Sequence, residues 1–195
     1  YKSSTNTTPK ESSDGKEGEE ADFHVELELV ADAGFIGLPN AGKSSLLNAL
    51  TNANAQVGSY AFTTLEPNLG ALQGGFVVAD IPGLIEGASE GKGLGHKFLR
   101  HIKRTRHLFH LISLENEDVV TVYKTIRNEL KQYGEGLDKK EETIILTKTD
   151  TTDDKTIEKT QKKLVKLNKN ILTVSVLDDK AIKKLSDEIV KRLRK

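Results

Sequence analysis

Hydrophobic and polar positions change period several times along the chain, and these changes outline strands and helices. Short apolar runs between glycine or polar residues predict buried strands at 33–37 (AGFIG), 76–79 (FVVA), 108–112 (LFHLI), 143–147 (TIILT) and 171–176 (ILTVSV). Apolar residues at helical spacing predict helices at 43–50, 94–104, 117–132, 155–167 and 179–194. Strands that alternate with helices predict an α/β fold with a doubly wound, mostly parallel sheet.

The N-terminal residues follow a different pattern. Residues 23–30 (FHVELELV) alternate between apolar and polar, which predicts a half-buried strand. Residues 1–22 contain no large apolar residue except Tyr1, and residues 11–22 hold six acids against one lysine. Such a segment buries too little apolar surface to offset the entropy of ordering it, so we interpret it as a flexible linker ahead of a domain at 23–195. The alternative is an arm of a neighbouring domain.

The composition excludes several classes of protein. Twenty-nine basic side chains balance 29 acidic ones among 195 residues, which excludes a globally basic nucleic-acid binder but not a local basic patch. Because the chain has no cysteine, it has no disulfide, thiol nucleophile or thiolate metal site. No apolar run is long enough to span a membrane, and the first residues are too polar for a signal peptide, so we expect a soluble, cytoplasmic protein. A first residue of Tyr1 rather than Met suggests an excised piece.

Residues 37–44 (GLPNAGKS) match the phosphate-loop pattern G-x-x-x-x-G-K-[ST], between a predicted strand and a predicted helix. Gly37 and Gly42 let the backbone turn so that successive N–H groups point at one phosphate, and the helix adds its positive end. Lys43 can reach the β- and γ-phosphates, and the Ser44 hydroxyl can bind Mg²⁺. The loop therefore predicts a nucleoside triphosphate site. Its expected nucleotide contacts are Gly37, Leu38, Pro39, Asn40, Ala41, Gly42, Lys43, Ser44 and Ser45.

Two further segments fit the metal and γ-phosphate contacts. Residues 80–83 (DIPG) follow a predicted strand, so Asp80 can hold Mg²⁺ through water and the Gly83 N–H can sense the γ-phosphate. Thr63 and Thr64 lie between this segment and the first helix, where a threonine can complete the Mg²⁺ shell; ordinary β-propensity is the alternative explanation. The expected contacts here are Phe62, Thr63, Thr64, Asp80, Ile81, Pro82 and Gly83, with Ser44, Thr64 and Asp80 as metal ligands.

A base pocket is predicted at the ends of the last two strands. Asp150, in residues 147–150 (TKTD), can accept hydrogen bonds from the N1–H and N2–H₂ edge of guanine, which adenine does not offer. The Lys148 stem can lie along one face of the base, and the backbone of Ser175 and Val176 can address the guanine oxygen. The expected base contacts are Thr147, Lys148, Asp150, Ser175, Val176 and Leu177.

Together, GLPNAGKS, FTTLEPN, DIPGLIEGA and TKTD resemble the translation-factor-related GTPases, and in detail the Obg family, over most of 23–195. The resemblance implies a three-layer P-loop NTPase fold, a Ras-like G domain, that binds GTP or GDP with Mg²⁺. It also implies a cytoplasmic GTPase acting in large ribosomal subunit assembly, and we expect a monomer. Residues 1–6 (YKSSTN) resemble the exit of the glycine-rich N-terminal domain of that family.

The sequence departs from the family pattern at several points. Thr147 stands where asparagine is usual, and its single hydroxyl should weaken the tether between the base loop and the phosphate loop. Val176 replaces the usual alanine while keeping the backbone N–H. Residues 73–75 and 114–118 make shorter connections than expected, as if loops were missing from the chain.

The catalytic water lacks an obvious orienting side chain. Leu84 stands where many GTPases have glutamine, so we expect slow intrinsic hydrolysis. Asn40 resembles the asparagine that binds K⁺ in cation-activated GTPases; alternatively, a ribosomal partner supplies the missing group. The expected catalytic residues are Asn40, Lys43, Thr64 and Gly83. A non-hydrolysing sensor of GDP or an alarmone is the main alternative function, and a P-loop ATPase or kinase is a weaker one.

Residues 92–110 form a basic span with six lysines and arginines, four histidines and no acid. A solvated helix explains such a charge run equally well. Because the span follows the predicted switch, we expect it to face RNA of the large-subunit precursor. Its histidines lack metal-ligand spacing on one element, so a core or surface role is expected for them.

Overall fold

The computed structural model describes residues 5, 7–8, 15–18, 20–23, 31–51, 56–57, 68–81, 105–134 and 136–194. Within these residues the strands are β1 (Ala33–Ile36), β2 (Gln56–Val57), β3 (Asn68–Ala71), β4 (Val77–Asp80), β5 (His107–Ser113), β6 (Glu141–Thr147) and β7 (Ile171–Thr173). The α-helices are α1 (Lys43–Leu50), α2 (Val119–Tyr133), α3 (Asp154–Leu164) and α4 (Asp179–Leu193). Short 3₁₀ turns at Leu137–Lys139 and Thr149–Thr151 precede β6 and α3.

The strands form one sheet in the order β2-β3-β4-β1-β5-β6-β7. β4, β1, β5, β6 and β7 are parallel, whereas β3 is antiparallel to both β2 and β4. Since parallel strands point the same way, the carboxyl ends of those five strands lie along one edge. The predicted doubly wound, mostly parallel α/β sheet is therefore confirmed.

Helices cover both faces of the sheet and make three layers. Leu46 and Leu47 of α1 and Ile189 of α4 pack on one face, around the edge-to-face pair of Phe35 and Phe109, whose ring centroids are 6.0 Å apart. α2 and α3 cover the opposite face, where their buried apolar residues are Val119, Tyr123, Ile126, Leu130 and Leu164. All residues of β5 are buried because the strand is central and covered on both sides.

Most predicted elements have the expected positions, with differences at their ends. β7 ends at Thr173 and α3 ends at Leu164, each three residues earlier than predicted, because the chain leaves the strand toward the base loop and turns at 165–167. The predicted helix at 94–104 lies outside the described residues, as does the predicted strand at 23–30 except for Phe23, which is 84% exposed. None of the described helices is long and apolar enough to cross a membrane. The division at residue 22 stays a prediction.

A buried polar cluster joins β5, β6 and α2. The Glu142 side chain lies with Oε1 2.9 Å from His110 Nδ1 and Oε2 3.3 Å from an Arg127 nitrogen, and it accepts a hydrogen bond from the Tyr123 hydroxyl. Burial raises the pKa of Glu142, but the hydrogen bond and charge of His110 and the charge of Arg127 outweigh it, so that this pKa lies below its ordinary value. Burial and the Glu142 charge raise the pKa of Tyr123 to about 12. The cluster thus stabilises an ionised carboxylate inside the fold.

Replacing Glu142 with glutamine should lower the free energy of unfolding by about 3 kcal/mol near neutral pH, because Arg127 loses its buried anionic partner. A carboxylate with a depressed folded pKa contributes stability above its unfolded pKa and loses that contribution as pH falls through the folded value. Thermal melts of wild type and E142Q should therefore converge at strongly acidic pH. The control is E141Q, since the Glu141 side chain is 84% exposed; equal melting of E142Q and E141Q at neutral pH would contradict this account.

Candidate nucleotide-binding site

The phosphate loop connects the carboxyl end of β1 to α1, and its glycines are required by sterics. A Cβ on Gly37 would lie 2.4 Å from the Leu111 carbonyl oxygen of β5, a contact that backbone atoms cannot relieve. Gly42 has φ of 86°, a left-handed conformation that other residues rarely adopt. The loop therefore lies directly on the neighbouring strand before it enters the helix.

No capping side chain accepts a hydrogen bond from the backbone N–H groups at the N-terminus of α1. Gly42 is the N-cap and makes no side-chain hydrogen bond, and the first turn contains no acidic residue. The first N–H groups of a helix carry partial positive charge and have no partner within the helix. This end of α1 therefore fits an anionic group such as a phosphate.

Lys43 places a largely buried positive charge at the same end. Its side chain is held against the loop, where Nζ donates to the Gly37 carbonyl at 3.0 Å and the Leu38 carbonyl at 3.1 Å. Burial lowers the pKa of Lys43, and the negative charge of Asp80 works in the opposite direction. A desolvated ammonium that donates to two backbone carbonyls fits a phosphate as its counter-ion.

Ser44 and Asp80 bring two oxygen ligands together between α1 and the end of β4. The Ser44 hydroxyl donates to Asp80 Oδ2 at 2.5 Å, and Asp80 is only 3% exposed. The other carboxylate oxygen, Oδ1, is buried and has no hydrogen-bond partner among the described residues. An orphaned carboxylate oxygen beside a hydroxyl fits a hard divalent cation such as Mg²⁺.

The base loop is joined to the phosphate loop by a direct bond. Thr147 Oγ1 donates to the Ala41 carbonyl at 2.8 Å, so the tether expected to weaken at this position is present as one hydrogen bond. Lys148 then adopts φ of 59°, an uncommon value for a residue other than glycine. The strained turn directs the chain back from β6 to bring Asp150 to the carboxyl edge.

Two contacts that support the base loop could not be anticipated from the motifs. The Ser175 hydroxyl donates to Asp150 Oδ1 at 2.5 Å, so it orients the carboxylate that the sequence predicts to recognise guanine. The Glu115 carboxylate contacts Lys148 Nζ in an ion pair. Glu115 lies just beyond β5. Its position after a predicted strand, and hence at the carboxyl edge, was the feature of the sequence that could have indicated a role in the site.

The structure brings most of the predicted site residues to one edge of the sheet. Residues 37–45, Asp80, 147–150 and 175–177 lie there at the ends of β1, β4, β6 and β7. The Ile81 side chain is buried in the core beside Gly34, while its N–H donates to the Phe35 carbonyl. The predicted contacts outside the described residues are Phe62, Thr63, Thr64, Pro82 and Gly83.

The Thr147–Ala41 bond yields a test of how the two loops depend on each other. Thr147→Val keeps the side-chain shape but leaves the Ala41 carbonyl unpaired, which should weaken GDP binding about tenfold. Thr147→Ser keeps the hydroxyl and should bind GDP within about twofold of wild type. Calorimetric titration with GDP measures both; equal affinity of T147V and T147S would show that the bond does not support the site.

Comparison with known proteins agrees with this arrangement. A family described as 50S ribosome-binding GTPase matches residues 32–149. GTPase Obg of Microcystis aeruginosa is 48% identical over 182 residues, covering 91% of this chain and 53% of the relative. GTPase Obg of Sphingopyxis alaskensis is 52% identical over 160 residues, covering 80% of this chain and 46% of the relative. The chain thus spans about half the length of the curated relatives it matches.

Solved structures with low sequence identity share the fold. A mutant of NFeoB from S. thermophilus bound to GDP has a TM-score of 0.61 at 19% identity, covering 83% of this chain and 59% of that structure. The G domain of the T. maritima FeoB iron transporter has a TM-score of 0.58 at 20% identity, covering 84% of this chain and 98% of that domain. The predicted G-domain fold and the resemblance to Obg are confirmed. The chain belongs to the family of 50S ribosome-binding GTPases, and GTPase Obg proteins are among its relatives.

Proposed function

We propose that residues 23–195 are the G domain of an Obg-type GTPase that binds GTP with Mg²⁺, hydrolyses it slowly to GDP and phosphate, and acts in large ribosomal subunit assembly. Residues 1–22 would be the linker from a preceding domain. The observation that carries the proposal is the hydrogen bond from Thr147 to Ala41, because it joins a phosphate-binding loop to a guanine-type base loop. A ligand that occupied both loops would present a phosphate to one and the edge of a base to the other, as a nucleotide does.

The phosphate end of the proposed ligand is supported by three independent features. The α1 N-terminus is open, Lys43 is a buried cation, and Ser44 and Asp80 offer oxygen ligands. Ser44 and Asp80 would hold Mg²⁺, with Thr64 proposed from the sequence as a third ligand. When bound, the ion would neutralise negative charge on the phosphate oxygens.

The base end is supported by the fixed orientation of Asp150. One oxygen of its carboxylate accepts the Ser175 hydroxyl, while the residue itself is exposed at the carboxyl edge. A carboxylate held in this way has lone pairs available for two N–H donors on one edge of a base. Guanine offers that pair of donors, and adenine offers none at the same position. The Asp150 geometry therefore favours guanine.

Hydrolysis needs a group that replaces the usual glutamine. Asn40 has φ of 62° and an exposed side chain in the phosphate loop, so its carboxamide is accessible as an oxygen ligand for K⁺. The Lys43 ammonium would contact the phosphates directly. Thr64 and Gly83 keep their proposed roles from the sequence alone, because they lie outside the described residues.

The ribosomal role is supported by the description of the matching family, and the RNA-facing span needs a correction. His107 and His110 are buried in central β5, beside Thr143 and Glu142 respectively. A strand covered on both faces cannot contact RNA, so the expectation that 92–110 forms one RNA-facing span is wrong for residues 107–110. We retain residues 92–106 as the proposed contact except for Thr105, which is also buried, and residues 92–104 lie outside the described residues.

Competition binding against a fluorescent GDP tests the nucleotide assignment. GTP and GDP should compete at least about a hundredfold better than ATP, because Asp150 pairs with two donors of guanine. Asp150→Asn should lose most guanine affinity and gain affinity for xanthosine diphosphate. Asp153→Asn is the control, since this nearby carboxylate is exposed and accepts from Thr156. Equal competition by ATP and GTP would overturn the base-pocket assignment.

Single-turnover GTP hydrolysis tests the role of Asn40. Replacing Na⁺ by K⁺ should speed hydrolysis at least about tenfold in wild type and have little effect in Asn40→Ala, because a bound cation would stabilise charge on the phosphates. Asn48→Ala, a change at an exposed asparagine in α1, is the control. Equal rates in the two salts would refute K⁺ activation. Binding without measurable hydrolysis in either salt would favour the alternative function, a guanine-nucleotide sensor.

A further inference from the structure

We infer that α3 carries a second RNA-binding surface, separate from the nucleotide site and from residues 92–106. This inference rests on the proposed function for the identity of the RNA as ribosomal. The surface, here called the lysine face, consists of Lys155, Lys159, Lys162, Lys163 and Lys166. Together with Glu158 these lysines line a shallow cavity of about 460 Å³.

The lysine face is continuous along the helix. Positions 155, 159 and 162 are spaced by four and three residues, which places them on one side of α3, and Lys166 follows in the turn at 165–167. From 155 to 162 they cover about 10 Å along the axis at the usual rise per residue. Thr160 and Leu164 are the buried residues of α3, and all five lysines are exposed. The helix therefore presents one row of ammonium groups to solvent.

The charge of this row is not balanced locally. Among the described residues, none of the five lysines forms an ion pair, and Glu158 is the sole acid lining the cavity. α4 provides the contrast, because its exposed lysines are interleaved with Asp187 and Glu188, and Lys191 pairs with Glu188 at 3.5 Å. Although the net charge of the whole chain is zero, α3 thus carries a local excess of positive charge.

A nucleic-acid backbone fits this surface better than the other polyanions. Lysines spaced about 5 to 6 Å apart along a line can each neutralise one phosphate, and flexible ammonium groups contact phosphates without reading sequence. A membrane-binding helix needs a free apolar face, whereas the apolar side of α3 is already packed against the sheet. Among the described residues beside the row, only Val165 and Leu167 are large, apolar and exposed.

The lysine face should bind RNA equally with GTP or GDP present. α3 begins after the base loop, and none of its lysines contacts the described phosphate loop, Asp80 or the 175–177 segment. This distinguishes the surface from residues 92–106, which we place next to the proposed switch. The lysine face would hold the domain on ribosomal RNA while the nucleotide state changes.

Fluorescence anisotropy of a fluorescein-labelled RNA stem-loop, titrated with the full 195-residue chain, tests the inference. Lys163 is left unchanged because its charge also acts on Asp118 at the start of α2. The variant combines K155Q, K159Q, K162Q and K166Q; the control combines K180Q, K183Q, K184Q and K191Q, four exposed lysines of α4 with the same change in net charge. Four lost phosphate contacts should reduce the slope of log affinity against log salt by about 3 to 4. The control should change it by less than about one.

Equal losses in the two quadruple variants would overturn the inference, because net charge alone would then explain binding. Binding to vesicles of anionic phospholipid but not to RNA would overturn it in favour of a membrane. A different slope change with GTP than with GDP would contradict the independence from nucleotide state. GTP hydrolysis, measured on the same preparations, should be unchanged in both variants; absence of hydrolysis in wild type would refute the proposed GTPase while leaving the RNA result valid.

Discussion

Parallel hydrogen bonding between β1, β5 and β6 sets the relative heights of the loops that form the site. Ile36, the last residue of β1, is level with His110, whereas Thr147, the last residue of β6, is level with Ser113. β1 therefore ends three residues before β6, a step of about 10 Å. The phosphate loop fills this step, and its Ala41 carbonyl meets the Thr147 hydroxyl. A shift of one residue in either register would separate these groups and turn the buried side chains of β5 to the wrong faces.

The same constraint explains the conformation of the phosphate loop. Because the loop crosses the end of β5, Gly37 lies against the Leu111 carbonyl and has no room for a Cβ. The left-handed residues Asn40 and Gly42 complete the turn, and Lys43 then falls where its ammonium reaches the carbonyls of Gly37 and Leu38. The strain in this loop is maintained by a sheet and helix that pack independently of it. The packing of the sheet and helices therefore determines the conformation of the loop.

Local patterns in the sequence predicted the strands and helices. The features that the sequence did not predict are contacts between residues far apart in the chain. Strand β5 was predictable from its apolar run, and the phosphate loop from its glycine pattern. Each of these patterns consists of residues that are adjacent in the sequence. The bond between Ser175 and Asp150 and the ion pair between Lys148 and Glu115 join residues 25 and 33 positions apart, and both depend on the strand order. Thr63, Thr64 and Gly83 were predicted from motifs alone and stay predictions.

The charges around the site differ between its two ends, and this difference sets the direction in which a nucleotide can bind. The phosphate end combines the open N-terminus of α1 with the buried ammonium of Lys43, so it attracts anions. The base end places the carboxylate of Asp150 at the carboxyl edge, where it repels phosphate and accepts hydrogen bonds from N–H donors, while the Glu115 carboxylate is paired with Lys148. A ligand with its anionic group at one end and its donors at the other satisfies both ends in one orientation only. Reversing it would leave Lys43 without an anion and place phosphate against Asp150, so the two ends favour one orientation of such a ligand.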